Sequence, residues 1–327
     1  MLLLLSCAGC SRPQPDTTGL VNSSPCDNSF IDDSLGSRTG ASYSTVKGAL
    51  LGSRFKSLEE LKSVIQIEYV NDNAETDSTI HANAKVCIKH CSNGVEVTSV
   101  LEDGISQGDI AAAKDGDFPD RMGIIFDSPY AVSNRKDLEK VFLLARVRPN
   151  LFGVGDVAFF NLAQTSVRNI NTTGLAFINS RDTTEKGYLN TFNHMTAQAF
   201  ITSCFSEELA DFVADAHERY HHPELILGKF TAKQINDLEE GPLDNYVDII
   251  NNEWGQEVGK QLKAKYHING NTWWTPELVA NYLNDLQQYY SWAFQIGFRP
   301  FRPDDEQVIK FSEKINAVMD SKAFENR

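Results

Sequence analysis

The stretch LDNYVDIINNEWGQEVGKQL, residues 243–262, contains the periodicity that decides the fold. Its apolar residues recur at helical spacing along one stripe: Val247, Ile250, Trp254, Val258 and Leu262. This spacing predicts an amphipathic helix, which we place from about Leu243 to Tyr266. The chain therefore has at least one long helix with an apolar face to bury.

A neighbouring strip of the same helix is polar or small. Asp248, Asn252, Gly255 and Gly259 follow one another at offsets of four, three and four residues, so they lie along one side of the helix. A glycine inside a helix costs about 1 kcal/mol relative to alanine, so we expect both glycines where another backbone or a ligand comes close. Asn251 falls within the apolar stripe, and we expect its amide to be buried and hydrogen-bonded. The strip is either a polar clasp between helices or part of a functional site.

Other helices are predicted on both sides of this one. Asn190 or Thr191 is predicted to cap a helix that ends at about Cys204, and Ser206 to cap the next, whose first turn is acidic. The first of these helices is apolar nearly all round and is expected to be central. A fourth helix is predicted over about residues 275–298.

The 327 residues divide into three predicted regions. Residues 1–53 are read as a lipoprotein signal and a flexible tether, because Ser, Thr, Asp, Gly and Pro dominate there. Residues 54–136 are predicted to form a small mixed α/β domain, in which Ser92-Asn93-Gly94 predicts a β-hairpin turn. Residues 137–327 are predicted to form an all-helical, bundle-like domain that carries the site. The predicted fold class is therefore mainly α.

The N-terminal residues predict a lipid anchor. Leu4-Leu5-Ser6-Cys7 resembles the lipobox of bacterial lipoproteins, and Cys10 is a competing acylation site. The alternative is a short apolar N-terminus without a role. With a lipid anchor, the protein is expected in the bacterial cell envelope, attached to the membrane and facing envelope proteins or glycans.

Composition excludes some functions but does not determine how the cysteines pair. The net charge of -14 argues against nucleic acid as a partner, because an acidic surface repels a polyanion. No apolar run approaches the roughly 20 residues that a bilayer span needs. Cys26, Cys87, Cys91 and Cys204 allow several pairings. The spacing of Cys87 and Cys91 is a weak metal signal, and we expect one of the two in a disulfide.

His217-Glu218-Arg219-Tyr220-His221 matches the H-E-x-x-H zinc motif, with His217 and His221 as metal ligands. The context argues against a zinc metalloprotease, because a charged arginine lies inside the motif and Pro223 follows it. Glu253 is a possible third ligand, but its spacing fits no pattern of zinc proteases. The zinc metalloprotease remains an alternative.

Three motifs together resemble an uncharacterised all-helical domain family, found at the C-termini of bacterial wall-associated, toxin-like and phage-encoded proteins. They are Asn190-Thr191-Phe192-Asn193-His194, Asp215-Ala216-His217-Glu218, and Asp248-Ile249-Ile250-Asn251-Asn252-Glu253-Trp254-Gly255. The likeness covers about residues 137–265, and the last motif is the most specific. Asn190 and Asn193 depart from the Asp and Arg of the family pattern. The resemblance implies where a site lies, but no activity.

Two function classes follow. In the first, the helical domain is a hydrolase in which His194 and His217 act as base and acid or bind a divalent metal. Asp215, Glu218 and Asp248 would orient them, and Asn252 would hold the substrate or a water. In the second, the protein is a non-catalytic surface lipoprotein that binds a protein or glycan partner, and the polar motifs are clasps between helices.

Overall fold

The computed structural model describes residues 48–70, 85–92, 95–101, 117–221, 229–239 and 241–320. Within these residues the protein is mainly α-helical, with a helical C-terminal region and one small sheet, which confirms the predicted fold class. Cys7 and Cys10 lie outside the described residues, as do residues 1–47 of the predicted tether. Among the helices of the described ranges, none is both long and apolar enough to cross a membrane.

The described residues form thirteen α-helices and three strands, with two short 3-10 helices at Gly52–Arg54 and Ser180–Thr183. In chain order the elements are α1 Leu58–Lys62, β1 Ile65–Val70, β2 Lys85–Ser92, β3 Val95–Leu101, α2 Phe118–Asp127, α3 Pro129–Ser133, α4 Arg135–Ala145, α5 Pro149–Phe152, α6 Phe159–Asn169, α7 Thr173–Ala176, α8 Tyr188–Cys204, α9 Glu207–His221, α10 Ala232–Asn236, α11 Pro242–Lys265, α12 Pro276–Phe294 and α13 Glu306–Met319.

The sheet is an antiparallel meander in the order β1-β2-β3. β2 and β3 pair as far as Ser92 and Val95, as the predicted hairpin requires, although turn residues 93–94 lie outside the described part. Cys91 is disulfide-bonded, as expected of one cysteine in this strand. The inner face of the sheet is buried in a core that it shares with the beginning of α11, so the mixed region rests directly on the helical region.

Residues 48–54, the strap, lead into the mixed region and are largely buried. Ala49 and Leu50 are 0% exposed and Leu51 is 1% exposed. Leu50 joins the core under the sheet, whereas Ala49 and Leu51 join the main helical core. The tether boundary drawn at residue 53 therefore falls inside a packed segment, because this short apolar run finds a core to enter.

Two glycines let α11 approach α8 closely. A Cβ added at Gly255 would lie 2.7 Å from the Cβ of Gln198 and 2.9 Å from backbone atoms of Met195. At Gly259 it would lie 2.7 Å from the carbonyl oxygen of Ala199. Because backbone atoms cannot move aside as a side chain can, these positions require glycine. The expectation that both glycines mark a close approach of another backbone is confirmed.

Helix α8 begins earlier than predicted. It starts at Tyr188 with Gly187 as its N-cap, and not at Asn190 or Thr191. A Cβ at Gly187 would collide with the backbone of Asp182, so the tight entry at this glycine sets the start. The side chains of Asn190 and Thr191 make contacts with other elements instead.

The other predicted helix ends agree with the structure to within a few residues. Helix α8 ends at Cys204, as predicted. The Ser206 hydroxyl accepts a hydrogen bond from the backbone N–H of Leu209 at 3.1 Å, which confirms the predicted cap of α9. Helix α12 ends at Phe294 rather than 298, because Gln295 takes a left-handed conformation with φ of 56°.

Asparagines on three helices each bind both backbone groups of one non-helical residue. In every case the side-chain oxygen accepts from the backbone N–H and the side-chain nitrogen donates to the carbonyl of the same residue. The pairs are Asn251–Leu50, Asn284–Phe301 and Asn316–Trp274. The expected burial and bonding of the Asn251 amide are confirmed, with 0% exposure. Each pair satisfies backbone groups that lie outside regular secondary structure.

Candidate functional site

His194 lies on α8 and faces α11. Its Nδ1 is 2.9 Å from Oδ1 of Asn252. Because an amide oxygen can only accept, Nδ1 carries the hydrogen and donates it, and Nε2 of the neutral ring then holds a lone pair. The His194 side chain is 16% exposed, so the imidazole is partly accessible to solvent.

Asp248 lies on α11, one turn before Asn252. Its Oδ1 accepts a hydrogen bond from Nδ2 of Asn190 at 2.6 Å, and its Oδ2 lies 3.4 Å from Nε2 of His194. Burial raises the pKa of Asp248 to about 6, although the nearby His194 acts in the opposite direction. This carboxyl group therefore exchanges a proton just below neutral pH.

Glu218 comes from α9 and is 2% exposed. Burial, and then repulsion by Asp248, raises the pKa of Glu218 well above its usual range. Asp215, one turn earlier on α9, is also buried and adds to this repulsion. The side chains of His217 and His221 lie outside the described part of the structure, so their proposed roles stay predictions.

Ligand atoms of His194, Glu218 and Asp248 all lie within 4.8 Å of one another, and this metal cluster could hold a metal ion. The 3.4 Å between Nε2 and Oδ2 exceeds the about 2.7–2.9 Å of a charge-assisted hydrogen bond. For this one pair, the distance is close to the about 3.4 Å that separates two ligands of a tetrahedral ion with bonds of about 2.1 Å. Nε2 of His194 and two carboxyl groups face one another here, so a proton or a cation between them would stabilise the arrangement.

Buried negative charge exceeds positive charge around the metal cluster. Four carboxyl groups are at most 8% exposed: Asp215, Glu218, Asp244 and Asp248. Lys186 donates a hydrogen bond to Asp244 at 2.7 Å, and its charge also lowers the pKa values of Glu218 and Asp248. Because buried carboxylates without compensating charge are costly, this surplus favours binding of protons or a cation.

The remaining predicted positions have other contacts. Asn252 was predicted to hold the substrate or a water, but its amide oxygen binds the imidazole of His194. Glu253, the possible third zinc ligand, accepts a hydrogen bond from Ser99 of the sheet at 2.6 Å. Sequence reasoning missed the contact of Asn190 with Asp248. The sequence does contain a pattern that indicates this contact: Asn190 and His194 are four residues apart on one helix, and Asp248 and Asn252 are four residues apart on the other.

No family model, curated protein or solved structure matches this chain. The resemblance to an all-helical family of bacterial envelope and phage proteins therefore stays a prediction. Function has to be argued from the chemistry of the site itself.

Proposed function

We propose that this protein is a cell-envelope lipoprotein whose helical domain is a metal-dependent hydrolase. The observation that carries the proposal is the metal cluster, in which three helices bring His194, Glu218 and Asp248 within 4.8 Å of one another. Strongly perturbed carboxyl groups next to a histidine are typical of functional sites, because buried charge is costly to maintain without a purpose.

The donor set suits a divalent transition metal. One imidazole nitrogen and two carboxylates combine a borderline ligand with hard oxygen ligands, which favours Mn²⁺, Fe²⁺ or Zn²⁺ over Ca²⁺. Three protein ligands leave coordination positions for water and substrate. Asn252 orients the His194 ring and Asn190 orients the Asp248 carboxylate through hydrogen bonds, as supporting residues do in metal sites.

The residues of the cluster have distinct tasks in this proposal. A bound divalent ion would supply Lewis acidity, activating a water and polarising the bond to be cleaved. Asn252 keeps the hydrogen on Nδ1 of His194, so that Nε2 is presented as a ligand. Asn190 occupies Oδ1 of Asp248 and leaves Oδ2 directed at the cluster. The raised pKa of Glu218 favours a bound proton on this carboxyl group, and a divalent ion would replace that proton when it binds.

Location in the envelope is a separate part of the proposal. It is supported by the lipobox-like Leu4-Leu5-Ser6-Cys7, and by the disulfide at Cys91, because disulfides persist in oxidising compartments. Incorporation of labelled palmitate into the full chain tests it. Cys7→Ala or Cys10→Ala should abolish labelling, and labelling that survives both changes would refute the anchor.

A non-catalytic binding protein is the second candidate. It is favoured by hydrogen bonds within the protein, because the side chains of Asn190, Asn251 and Asn252 all bind other protein groups. In that case the polar motifs fasten helices together. Binding of cell-wall glycan or an envelope protein that is unchanged by a chelator would support this candidate.

Metal titration of the purified full chain tests the main proposal. Calorimetry with Mn²⁺ and Zn²⁺ should show one site, and Asp248→Asn should weaken binding about 100-fold or more. Asp244→Asn is the matched control, because Asp244 lies one turn earlier on α11 and is similarly buried but is outside the metal cluster. Asp244→Asn removes a nearby charge but no ligand, so we expect a smaller effect there, of about tenfold.

Two results would contradict the proposal. One is wild-type protein that binds neither ion at millimolar concentration. The other is equal metal affinity in Asp248→Asn and Asp244→Asn. A protein that binds metal but cleaves none of a panel of ester, amide and glycoside substrates would favour the second candidate.

A further inference from the structure

The strap contacts α8 and α11, two of the three helices that supply ligands at the metal cluster. The Leu50 backbone is held by the Asn251 side chain through two hydrogen bonds of 2.9 Å. The Thr191 hydroxyl donates to the same Leu50 carbonyl at 2.8 Å. Thr191 lies three residues before His194 on α8, and Asn251 lies three residues after Asp248 on α11, so each contact is about one helical turn from a ligand.

The other end of the strap is fixed at the entrance to α8. The backbone N–H of Ser53 donates to the carbonyl of Lys186 at 2.8 Å. Its hydroxyl donates to Asp182 at 2.6 Å, and Nε of Arg54 lies 2.9 Å from the same oxygen. Asp182 is 0% exposed, so these bonds form inside the protein. The strap is therefore anchored by directional bonds at both ends.

The metal cluster depends on how α8 and α11 are placed along one another, because His194 and Asp248 belong to different helices. The contacts at Gly255 and Gly259 set the distance between the helices. Directional hydrogen bonds resist sliding of one helix along the other, and Asn190–Asp248 and His194–Asn252 already join the two helices directly. Leu50 makes such bonds to both helices at the level of the ligands.

Building on the proposed metal-dependent function, we propose that the strap is a positioning element of the metal cluster and that Asn251 acts as a positioning residue through it. Asn251 binds both backbone groups of Leu50 at 2.9 Å, and its Nδ2 also donates to the Thr191 hydroxyl at 3.3 Å, so Leu50, Thr191 and Asn251 form one hydrogen-bonded group between the strap and the two helices. The strap overlaps the C-terminal end of the predicted tether of residues 1–53.

The test compares Asn251→Ala with two matched controls in the full chain. Asn284→Ala and Asn316→Ala remove the same double hydrogen bond, to Phe301 and Trp274 respectively, away from the strap. All three variants should lose stability in urea unfolding. Only Asn251→Ala should bind Mn²⁺ or Zn²⁺ about tenfold more weakly or worse, as removal of supporting hydrogen bonds does in metal sites.

A milder pair guards against a variant that fails to fold. Thr191→Val removes the hydrogen bond to the Leu50 carbonyl and the longer one from Asn251. Thr196→Val is its control on the same helix, because the Thr196 hydroxyl is bonded to Tyr290 instead. Thr191→Val should weaken metal binding several-fold and Thr196→Val should not. If wild-type protein binds metal and the strap variants match their controls, this inference is wrong while the proposed function stands. If wild-type protein binds no metal, both are wrong.

Discussion

His90 predicts a specific loss of stability in acid. It lies on β2 under α11, is 1% exposed, and neither ring nitrogen has a hydrogen-bond partner of normal geometry within the described residues. Its ring packs edge-on against Trp254 with 6.1 Å between centroids. Burial lowers the pKa of His90 from 6.5 to about 4, while the backbone of Cys91 acts weakly in the opposite direction.

Because the pKa of His90 is lowered on folding, the folded state loses stability as the pH falls. The pKa is lower in the folded protein than in the unfolded chain, so the unfolded chain takes up the proton first. The contribution of neutral His90 is complete above pH 6.5 and is lost as the pH falls towards 4. Between pH 7.5 and pH 4.5 the loss is about 2.5 kcal/mol, taking about 1.36 kcal/mol per pKa unit.

Urea unfolding at these two pH values measures the loss. His90→Phe keeps an aromatic ring against Trp254 but has nothing to protonate, so its stability should fall by about 2.5 kcal/mol less than that of the wild type over this interval. His267→Asn is the control, since His267 is exposed and should leave the acid loss unchanged. An equal acid loss in the wild type and in His90→Phe would refute the reasoning.

Three further predictions concern packing, metal binding and the buried ion pair. Gly255→Ala should lower the free energy of unfolding by roughly 1–3 kcal/mol, because the added Cβ would lie 2.9 Å from Met195. Gly123→Ala should stabilise α2 by about 0.5–1 kcal/mol, because a Cβ there meets nothing within 4 Å. Equal effects of the two substitutions in thermal unfolding would contradict this prediction. Metal affinity measured by calorimetry should rise with pH through the pKa of about 6 of Asp248, because ligands bind in the deprotonated form; a flat profile would exclude Asp248 as a ligand. Lys314→Met should cost about 3–5 kcal/mol because it leaves Asp156 buried without its 2.9 Å partner, and adding Asp156→Asn should recover part of the loss of melting temperature.

Local patterns in the sequence determined much of the helical framework. The stripe over residues 243–262 predicted α11, its two glycines predicted a close backbone contact, and Ser206 predicted the start of α9. These features are predictable because helical periodicity, capping and the lack of a Cβ act within a few residues. The net charge and the lack of a long apolar run can likewise be determined from the sequence alone.

The candidate site was only partly visible in the sequence. His194, Glu218 and Asp248 were each singled out, but as members of separate motifs. H-E-x-x-H drew attention to His217 and His221, whereas the described cluster uses the glutamate between them together with ligands from two other helices. A motif shows which residues share a face of one helix, and it does not show which helix that face meets.

Tertiary structure alone decided which distant residues meet. Leu50 and Asn251 are 201 positions apart, and Asn190 and Asp248 are 58 apart. No local rule pairs them, because their contact depends on the packing of whole helices and on a segment that looked like a tether by composition. The sequence by itself determined the helices and the residues with chemistry to offer. The close packing of α8, α9 and α11 brought three of those residues together.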